Sequence, residues 1–178
     1  MILFSLTSSV SNIGIFYSNS FSNSYFLCLI LVIIGGSFFS TSSGLRFFKI
    51  FTLIKFSINE LLSHSKPKQV LLSKVIFDTN KVDYNVINKY FLTILIFILS
   101  LSAISISLSI FGIGFETSIK LGILTIMNTV NSSLYGLENF NFNELNNFVK
   151  SILIIFMIIG RVEFITLMVL IKKYLFKS

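Results

Sequence analysis

Residues 32–46 read VIIGGSFFSTSSGLR, and this stretch decides how the rest of the chain is interpreted. An apolar run of membrane-helix quality leads into it from Tyr25. Glycines and hydroxyl side chains then interrupt the run, and Arg46 closes it. Small polar residues at membrane depth are tolerated only where they are buried in protein or line water. The stretch therefore predicts a membrane helix that is broken at mid-depth, beside protein or a water-filled path.

A related sequence returns near the C-terminus, where residues 157–164 read MIIGRVEF. The tripeptide Ile-Ile-Gly recurs, and in both places a phenylalanine follows four residues after the glycine, at Phe39 and Phe164. We interpret the chain as two copies of one unit. In each copy a re-entrant segment precedes a helix that is broken or charged at mid-depth.

The composition indicates an integral membrane protein. Of 178 residues, 54% are hydrophobic and 12% are charged, and the mean hydropathy is +0.89, whereas about 25% of the residues in soluble domains are charged. A net charge of +7 could indicate nucleic-acid binding. The basic residues are instead distributed as in membrane proteins, where they gather on the cytoplasmic side, so no nucleic-acid partner is expected. The one cysteine, Cys28, lies in an apolar run, which predicts neither a disulfide nor a thiolate metal site.

The basic residues predict the topology. They collect in residues 46–89 and again in residues 172–178, and Lys and Arg gather on the cytoplasmic side of membrane proteins. The apolar run at 90–113 then leads outward and the run at 148–171 leads back, while the run from Tyr25 leads inward. We therefore expect about three spanning helices in a multi-pass protein of the plasma (inner) membrane, surrounded by the lipid bilayer.

Two further apolar segments, at 3–10 and 119–127, are too short to span a bilayer, which takes about 20 residues. A candidate turn follows each of them, at 11–15 and at 128–136, and an inward helix comes next. A half-helix, a turn and an inward helix form the pore-loop unit of a cation channel. We therefore predict an all-α fold in which two re-entrant half-helices join the spanning helices. For the first segment, a frayed N-terminus at the interface is the alternative.

Arg161 lies 13 residues after Phe148 and 11 before Lys172, so at about 1.5 Å per residue it is near the middle of the bilayer. An arginine there costs roughly 2.5–3.5 kcal/mol on insertion scales. Glu163 cannot neutralise it from the same helix, because residues two apart face different sides. Arg161 therefore either forms a structural ion pair with another helix or places a positive charge beside a cation path. In the second case it tunes the electrostatic barrier to ion passage.

These motifs together resemble the C-terminal half of the TrkH/KtrB/HKT superfamily of potassium transporters, in which four helix–pore-loop–helix repeats surround one pore. Residues 35–46 look like the family's intramembrane loop, which interrupts the inner helix of the third repeat and gates the pore. Residues 160–163, Gly-Arg-Val-Glu, look like the family's Gly-Arg-Leu-Glu in the fourth repeat, whose arginine projects into the pore. The resemblance implies a gating loop that contains Gly35, Gly36, Ser37, Ser40, Thr41, Ser42, Ser43 and Gly44, with Arg161 as the pore-facing charge.

The selectivity filter follows from the same resemblance. It implies carbonyl-lined filter strands in both repeats, and in the fourth repeat the register stays open, because either Asn131 is the family's Asn or Gly136 is its last Gly. In the third repeat Gly14 matches the filter glycine, and its freedom from a Cβ would allow the unusual dihedrals of such a turn. The implied filter residues are Ser11, Asn12, Ile13 and Gly14, and Asn131, Ser132, Ser133 and Gly136.

The chain departs from the family pattern at three places. Phe38 and Phe39 stand where the gating loop has small residues, Ser43 stands where a glycine is usual, and the fourth filter lacks the spacing of Asn-Val-Gly-Pro-Gly. The resemblance implies a partial third repeat at 1–62, a cytoplasmic basic linker at 63–89 and a fourth repeat at 90–178. It places Met1 inside a pore half-helix, so the remaining repeats are expected from a separate N-terminal half or a second copy.

The implied function is uptake of K⁺, or of Na⁺, with no cofactor beyond the transported ion. The resemblance also implies a cytoplasmic nucleotide-binding regulatory subunit as a partner. The sequence has no paired acids on a helix face, no nucleophile with a base and no phosphate-binding glycine loop, so no enzyme is expected. The alternative is a non-conducting remnant or an accessory membrane subunit left by a truncated or split transporter gene.

Overall fold

The computed structural model describes residues 2–15, 25–35, 45, 47–65, 74–75, 78–81, 84–129, 135–137, 140–161 and 173–174. Within these residues six α-helices carry the fold, and a two-stranded hairpin lies between the third and fourth of them. The helices are α1 (Ile2–Val10), α2 (Tyr25–Ile34), α3 (Phe47–Ser65), α4 (Tyr84–Ile110), α5 (Phe115–Met127) and α6 (Asn147–Arg161), with a short 3₁₀ turn at Phe142–Glu144.

The hairpin is a small departure from the predicted all-α fold. Strand β1 (Lys74–Val75) pairs antiparallel with β2 (Asp78–Lys81). The paired residues are Lys74 with Lys81 and Val75 with Asp78.

The helix bounds differ from the apolar runs at their aqueous ends. Helix α3 begins at Phe47 as the pattern indicates but continues to Ser65, and α4 begins at Tyr84, six residues before the uncharged run. Hydropathy marks only the part of a helix that suits lipid, whereas the backbone hydrogen bonds of the helix continue into polar residues. The hairpin and its flanks therefore occupy a shorter connection than residues 63–89.

Within the described residues, one helix is long and apolar enough to cross a bilayer, at Asn85–Ile110. Only 33% of its most apolar window is buried inside the chain, so most of this apolar surface is available to lipid rather than to a protein core. Three of its serines donate their hydroxyls to carbonyls of the same helix, as the sequence predicts for residues in an apolar span. Ser100, Ser102 and Ser107 donate to the carbonyls of Phe97, Ile98 and Ile104.

The core surrounds α5, which packs against α4, α6 and α2, and α1 packs against α2. Nine of the residues from Ser118 to Met127 in α5 are buried. Gly122 permits the close approach of α4, because a Cβ there would lie 3.0 Å from the Cγ2 of Ile104 and 3.2 Å from the Oγ of Ser105. Helix α5 is thus a short helix that α2, α4 and α6 enclose.

Candidate functional site

The turn after α1 is the first candidate filter segment. Asn12 and Gly14 both have positive φ, 57° and 72°, and the backbone amides of Ile13 and Gly14 donate to the carbonyl of Ser8 at 3.1 and 3.4 Å. The Ser8 hydroxyl closes the turn by donating to the Ile15 carbonyl at 2.8 Å. Gly14 thus has the conformation that the sequence predicts, and an ordered helix with this closed turn replaces the alternative of a frayed N-terminus.

The end of α5 repeats this geometry. Asn128 has φ of 54°, and its amide donates to the Thr125 carbonyl at 3.2 Å, while the Thr129 amide donates to the Leu124 carbonyl at 3.0 Å. After α1, the same pair of hydrogen bonds forms. The Asn12 amide donates to the Ser9 carbonyl at 3.2 Å, and the Ile13 amide donates to the Ser8 carbonyl at 3.1 Å. The two half-helices therefore end in the same left-handed cap.

This match aligns the starts of the two predicted turns, because Asn128 corresponds to Asn12 and Thr129 to Ile13. The sequence included Asn128 and Thr129 in the second turn, at 128–136, but not among the predicted filter residues, which begin at Asn131. The available signal was Asn itself, one of the few residues besides Gly that adopts the left-handed conformation readily.

A glycine packs against the end of each short helix. Gly35, directly after α2, lies against the end of α1, and Gly160 of α6 lies against the end of α5. A Cβ on Gly35 would lie 2.7 Å from the Val10 carbonyl oxygen and 2.9 Å from the Oδ1 of Asn12. A Cβ on Gly160 would collide with the backbone of Ile126, which is the counterpart of Val10. The repeated Ile-Ile-Gly of the sequence thus places two glycines at equivalent backbone contacts.

The side chain of Asn128 adds a second link between α5 and α6. Its Nδ2 donates to the Met157 carbonyl at 2.9 Å, one helical turn before Gly160. The half-helix cap is therefore fixed to the inner helix by close backbone packing and by a hydrogen bond.

The other predicted residues fall into three groups. Ser11 donates its hydroxyl to the Thr7 carbonyl at 2.8 Å, and Ile13 is 49% exposed. Gly136 has φ of 71° and lies away from the α5 cap, beside Lys120. Outside the described residues lie Asn131, Ser132 and Ser133 of the filter and Gly36, Ser37, Ser40, Thr41, Ser42, Ser43 and Gly44 of the gating loop.

Arg161 is the last described residue of α6, directly after the packed Gly160, and its side chain is exposed. Within the described ranges no acidic side chain pairs with it. Because Gly160 fixes α6 against α5, the backbone position of Arg161 relative to the half-helix cap is fixed as well.

Helix α5 also carries a buried ammonium group, that of Lys120. Lys120 is 7% exposed, and its Nζ lies 2.6 Å from the Oε1 of Glu116 and 4.2 Å from the centre of the Tyr25 ring. The Nζ also donates to the Gly136 carbonyl at 3.5 Å. Glu116 is exposed at the start of α5, and the hydrogen bond and then the charge of Lys120 lower its pKa.

Residues of α1, α2 and the segment after α5 meet beside this ammonium. Tyr135 is fully buried, with its side chain next to Ser9 of α1 and Cys28 of α2. Tyr25 of α2 lies against Gly136, where a Cβ would be 3.4 Å from the ring. The end of the second candidate filter therefore packs onto α1 and α2.

The described residues contain no group of three or more His, Cys, Asp or Glu side chains that could hold a metal ion. The C-terminal end of a helix carries a partial negative charge, equivalent to about half an elementary charge, so the ends of α1 and α5 each carry a negative potential.

No protein-family model matches the sequence, and no curated protein matches it. Among solved structures, the chain is similar to the potassium transporter TrkH from Vibrio parahaemolyticus, with a TM-score of 0.80 and 23% sequence identity. The match covers 94% of this chain and 36% of that chain. The expected resemblance thus extends to the three-dimensional structure, and the chain has the fold of about a third of that transporter.

Proposed function

We propose that this chain is a pore-forming part of a membrane transporter for a monovalent cation, with K⁺ as the expected ion. The observation that supports the proposal best is the repeated unit. Two half-helices end in the same left-handed cap, and a glycine of the following helix packs against each of them. The fold likeness to TrkH, which is a potassium transporter, supports the choice of ion.

The chemistry of the caps suits a cation. A dehydrated K⁺ is held by backbone carbonyls that replace its water shell, and the negative ends of α1 and α5 favour positive charge. Positive φ at Asn12 and Gly14 allows carbonyls of the turn to depart from the helical direction. In this proposal the segment that contains Gly35 gates the path, and Arg161 tunes its electrostatic barrier.

The pore needs further strands, because a carbonyl filter surrounds the ion and this chain offers two candidate segments. We propose a separate N-terminal half or a second copy as the partner that supplies them. The exposure of α1 supports this. Leu3 and Phe4 are 77% and 52% exposed, whereas the corresponding helix α5 is enclosed because α4 packs on it. An outer helix of the partner would cover α1 as α4 covers α5, and a cytoplasmic nucleotide-binding subunit would regulate the assembly.

One observation favours a second candidate, a non-conducting accessory subunit or remnant. The chain spans 36% of the length of TrkH, so the ion path of a whole transporter is not contained in it. In that case the caps would stabilise the fold without contacting an ion.

The test is potassium uptake by cells that lack their own uptake systems. The chain is expressed alone, with a family N-terminal half that ends before the third pore helix, and as that half alone. Uptake on co-expression, absent with either part alone, supports the proposal. If both parts reach the membrane and associate but no uptake follows, the accessory subunit is the better description. Selective uptake by the chain alone would favour the second copy as partner.

A further inference from the structure

Lys120 is the buried charge that the proposed ion path does not use. It lies in the second turn of α5, and three different groups surround its ammonium: the Glu116 carboxylate at 2.6 Å, the Tyr25 ring at 4.2 Å and the Gly136 carbonyl at 3.5 Å. Taking a charged group out of water is costly unless it is paired and hydrogen-bonded. These contacts offset that cost, and an aromatic face adds to them.

The three partners come from three parts of the fold. Glu116 belongs to α5 itself, Tyr25 begins α2 of the first repeat, and Gly136 is the last residue of the second candidate filter. Gly136 is in close contact with Lys120 and Tyr25, because a Cβ there would lie 3.0 Å from the Nζ and 3.4 Å from the Tyr25 ring. One ammonium thus joins the two repeats and the filter segment.

The filter segment is consequently anchored at both ends. At its start, the Thr129 amide is bonded to the Leu124 carbonyl and the Asn128 side chain to the Met157 carbonyl. At its end, Tyr135 is buried against the first repeat and the Gly136 carbonyl accepts from Lys120. The predicted filter residues Asn131, Ser132 and Ser133 lie between these anchors in the sequence, outside the described residues.

We propose that Lys120 is a positioning residue that fixes the outer end of the second filter segment through the Gly136 carbonyl and thereby sets ion selectivity. The selectivity part rests on the proposed function, whereas the positioning part does not. Lys120 does not contact the ion in this proposal. It acts as a fixed internal cation whose position is defined by Glu116 and Tyr25.

The chain supplies a matched control. Lys150 also donates to a backbone carbonyl, that of Asn143 at 3.4 Å, but this bond is exposed and joins no other repeat. Lys120→Met and Lys150→Met remove the same charge from the same region of the sequence. Lys120→Arg keeps the charge and the cation–π contact, so it is the variant that should restore the wild-type behaviour.

The first experiment measures amide hydrogen exchange of the full chain in lipid nanodiscs. We expect Lys120→Met to accelerate exchange in a peptide covering 130–137 by about tenfold, the scale of losing one hydrogen bond to a charged group. We expect Lys150→Met and Lys120→Arg to leave that peptide close to wild type. Equal exchange in Lys120→Met and wild type, with both folded, would overturn the positioning role. If Lys120→Met fails to fold, Tyr25→Leu, which removes only the ring, takes its place.

The second experiment compares K⁺ and Na⁺ uptake of the co-expressed transporter. We expect Lys120→Met to raise the KM for K⁺ severalfold and to reduce the preference for K⁺, with the amount of membrane protein unchanged. A proportional loss of uptake for both ions, with no change in KM, would overturn the selectivity role. A complete lack of uptake in wild type would reject the proposed function, while the exchange experiment would still decide the positioning role.

Discussion

Gly160 of α6 lies directly against the backbone of Ile126, the penultimate residue of α5. A Cβ at this glycine would be 2.9 Å from the Ile126 carbonyl carbon and 3.1 Å from its Cα. Backbone atoms cannot move aside as the end of a flexible side chain can. The inner helix and the half-helix are therefore held at a distance that only glycine permits, and Gly35 makes the corresponding contact with Val10 in the first repeat.

We expect Gly160→Ala and Gly35→Ala to separate each half-helix from its inner helix. Overpacking of this kind costs about 1–3 kcal/mol, so the midpoint of thermal unfolding in detergent should fall in both variants. Gly114→Ala is the control, because a Cβ there meets only the Thr117 hydroxyl at an ordinary 3.4 Å. A Gly160→Ala protein as stable as Gly114→Ala would contradict the close contact.

Asn128 combines a left-handed backbone with a hydrogen bond to Met157. We expect Asn128→Gly to lose only the hydrogen bond, worth about 0.5–1.5 kcal/mol. Asn128→Ala should also lose about 1–2 kcal/mol through its strained backbone. The order of stability should therefore be wild type, then Gly, then Ala, as measured by chemical unfolding. If the alanine variant is at least as stable as the glycine variant, the left-handed cap does not limit stability.

Glu116 should make stability depend on acid pH. Its hydrogen bond to Lys120 lowers its pKa below the ordinary value of 4.5. The pKa of Glu116 is therefore lower in the folded state than in the unfolded state. The stabilisation by the ion pair is complete above the unfolded-state pKa and is lost as the pH falls through the lowered folded-state pKa. We expect the small difference in unfolding midpoint between wild type and Glu116→Gln to narrow as the pH falls below 4.5 and through the lowered pKa. A difference independent of pH would exclude the ion pair as its cause.

Arg161 should affect ion flux more than folding. Its side chain is exposed in the described chain, so Arg161→Ala leaves no acidic partner stranded among the described residues. We expect the variant to keep the wild-type unfolding midpoint and, in the co-expressed transporter, to raise cation uptake severalfold by lowering an electrostatic barrier. Arg161→Lys, which keeps the charge, is the control. Loss of folded protein, by about 3–5 kcal/mol, would instead identify a buried ion pair within the assembly.

The predicted topology places the connection between α3 and α4 inside and the segment between α5 and α6 outside. Single cysteines at the exposed residues Glu60 and Asn146, in a Cys28→Ser background, should be labelled from opposite sides of intact membranes. Membrane-impermeant maleimide provides the measurement, and permeabilised membranes provide the control for reactivity. Labelling of both positions from the same side would reject the re-entrant arrangement of α5.

The segments at 3–10 and 119–127 were predictable as short helices because their apolar runs end after fewer residues than a span requires. Gly14 was predictable at positive φ because a tight turn after a helix favours a residue without a Cβ. The ends of α3 and α4 were not predictable from apolar runs, since helical hydrogen bonds continue through polar residues. The burial of Lys120 was not predictable either, because Tyr25 and Gly136, which enclose it together with Glu116, are distant from it along the chain.

By itself, the sequence determined the membrane-like composition, the order of short and long apolar segments and the repeated Ile-Ile-Gly, since these depend on local hydrophobicity and spacing. Only the tertiary structure decided what the repeat is for. It brought Gly35 and Gly160 against the backbones of Val10 and Ile126, aligned the Asn12 and Asn128 caps, and enclosed Lys120 between two repeats. The physical reason is that close packing and burial of a charge depend on neighbours from other segments, which no local pattern specifies.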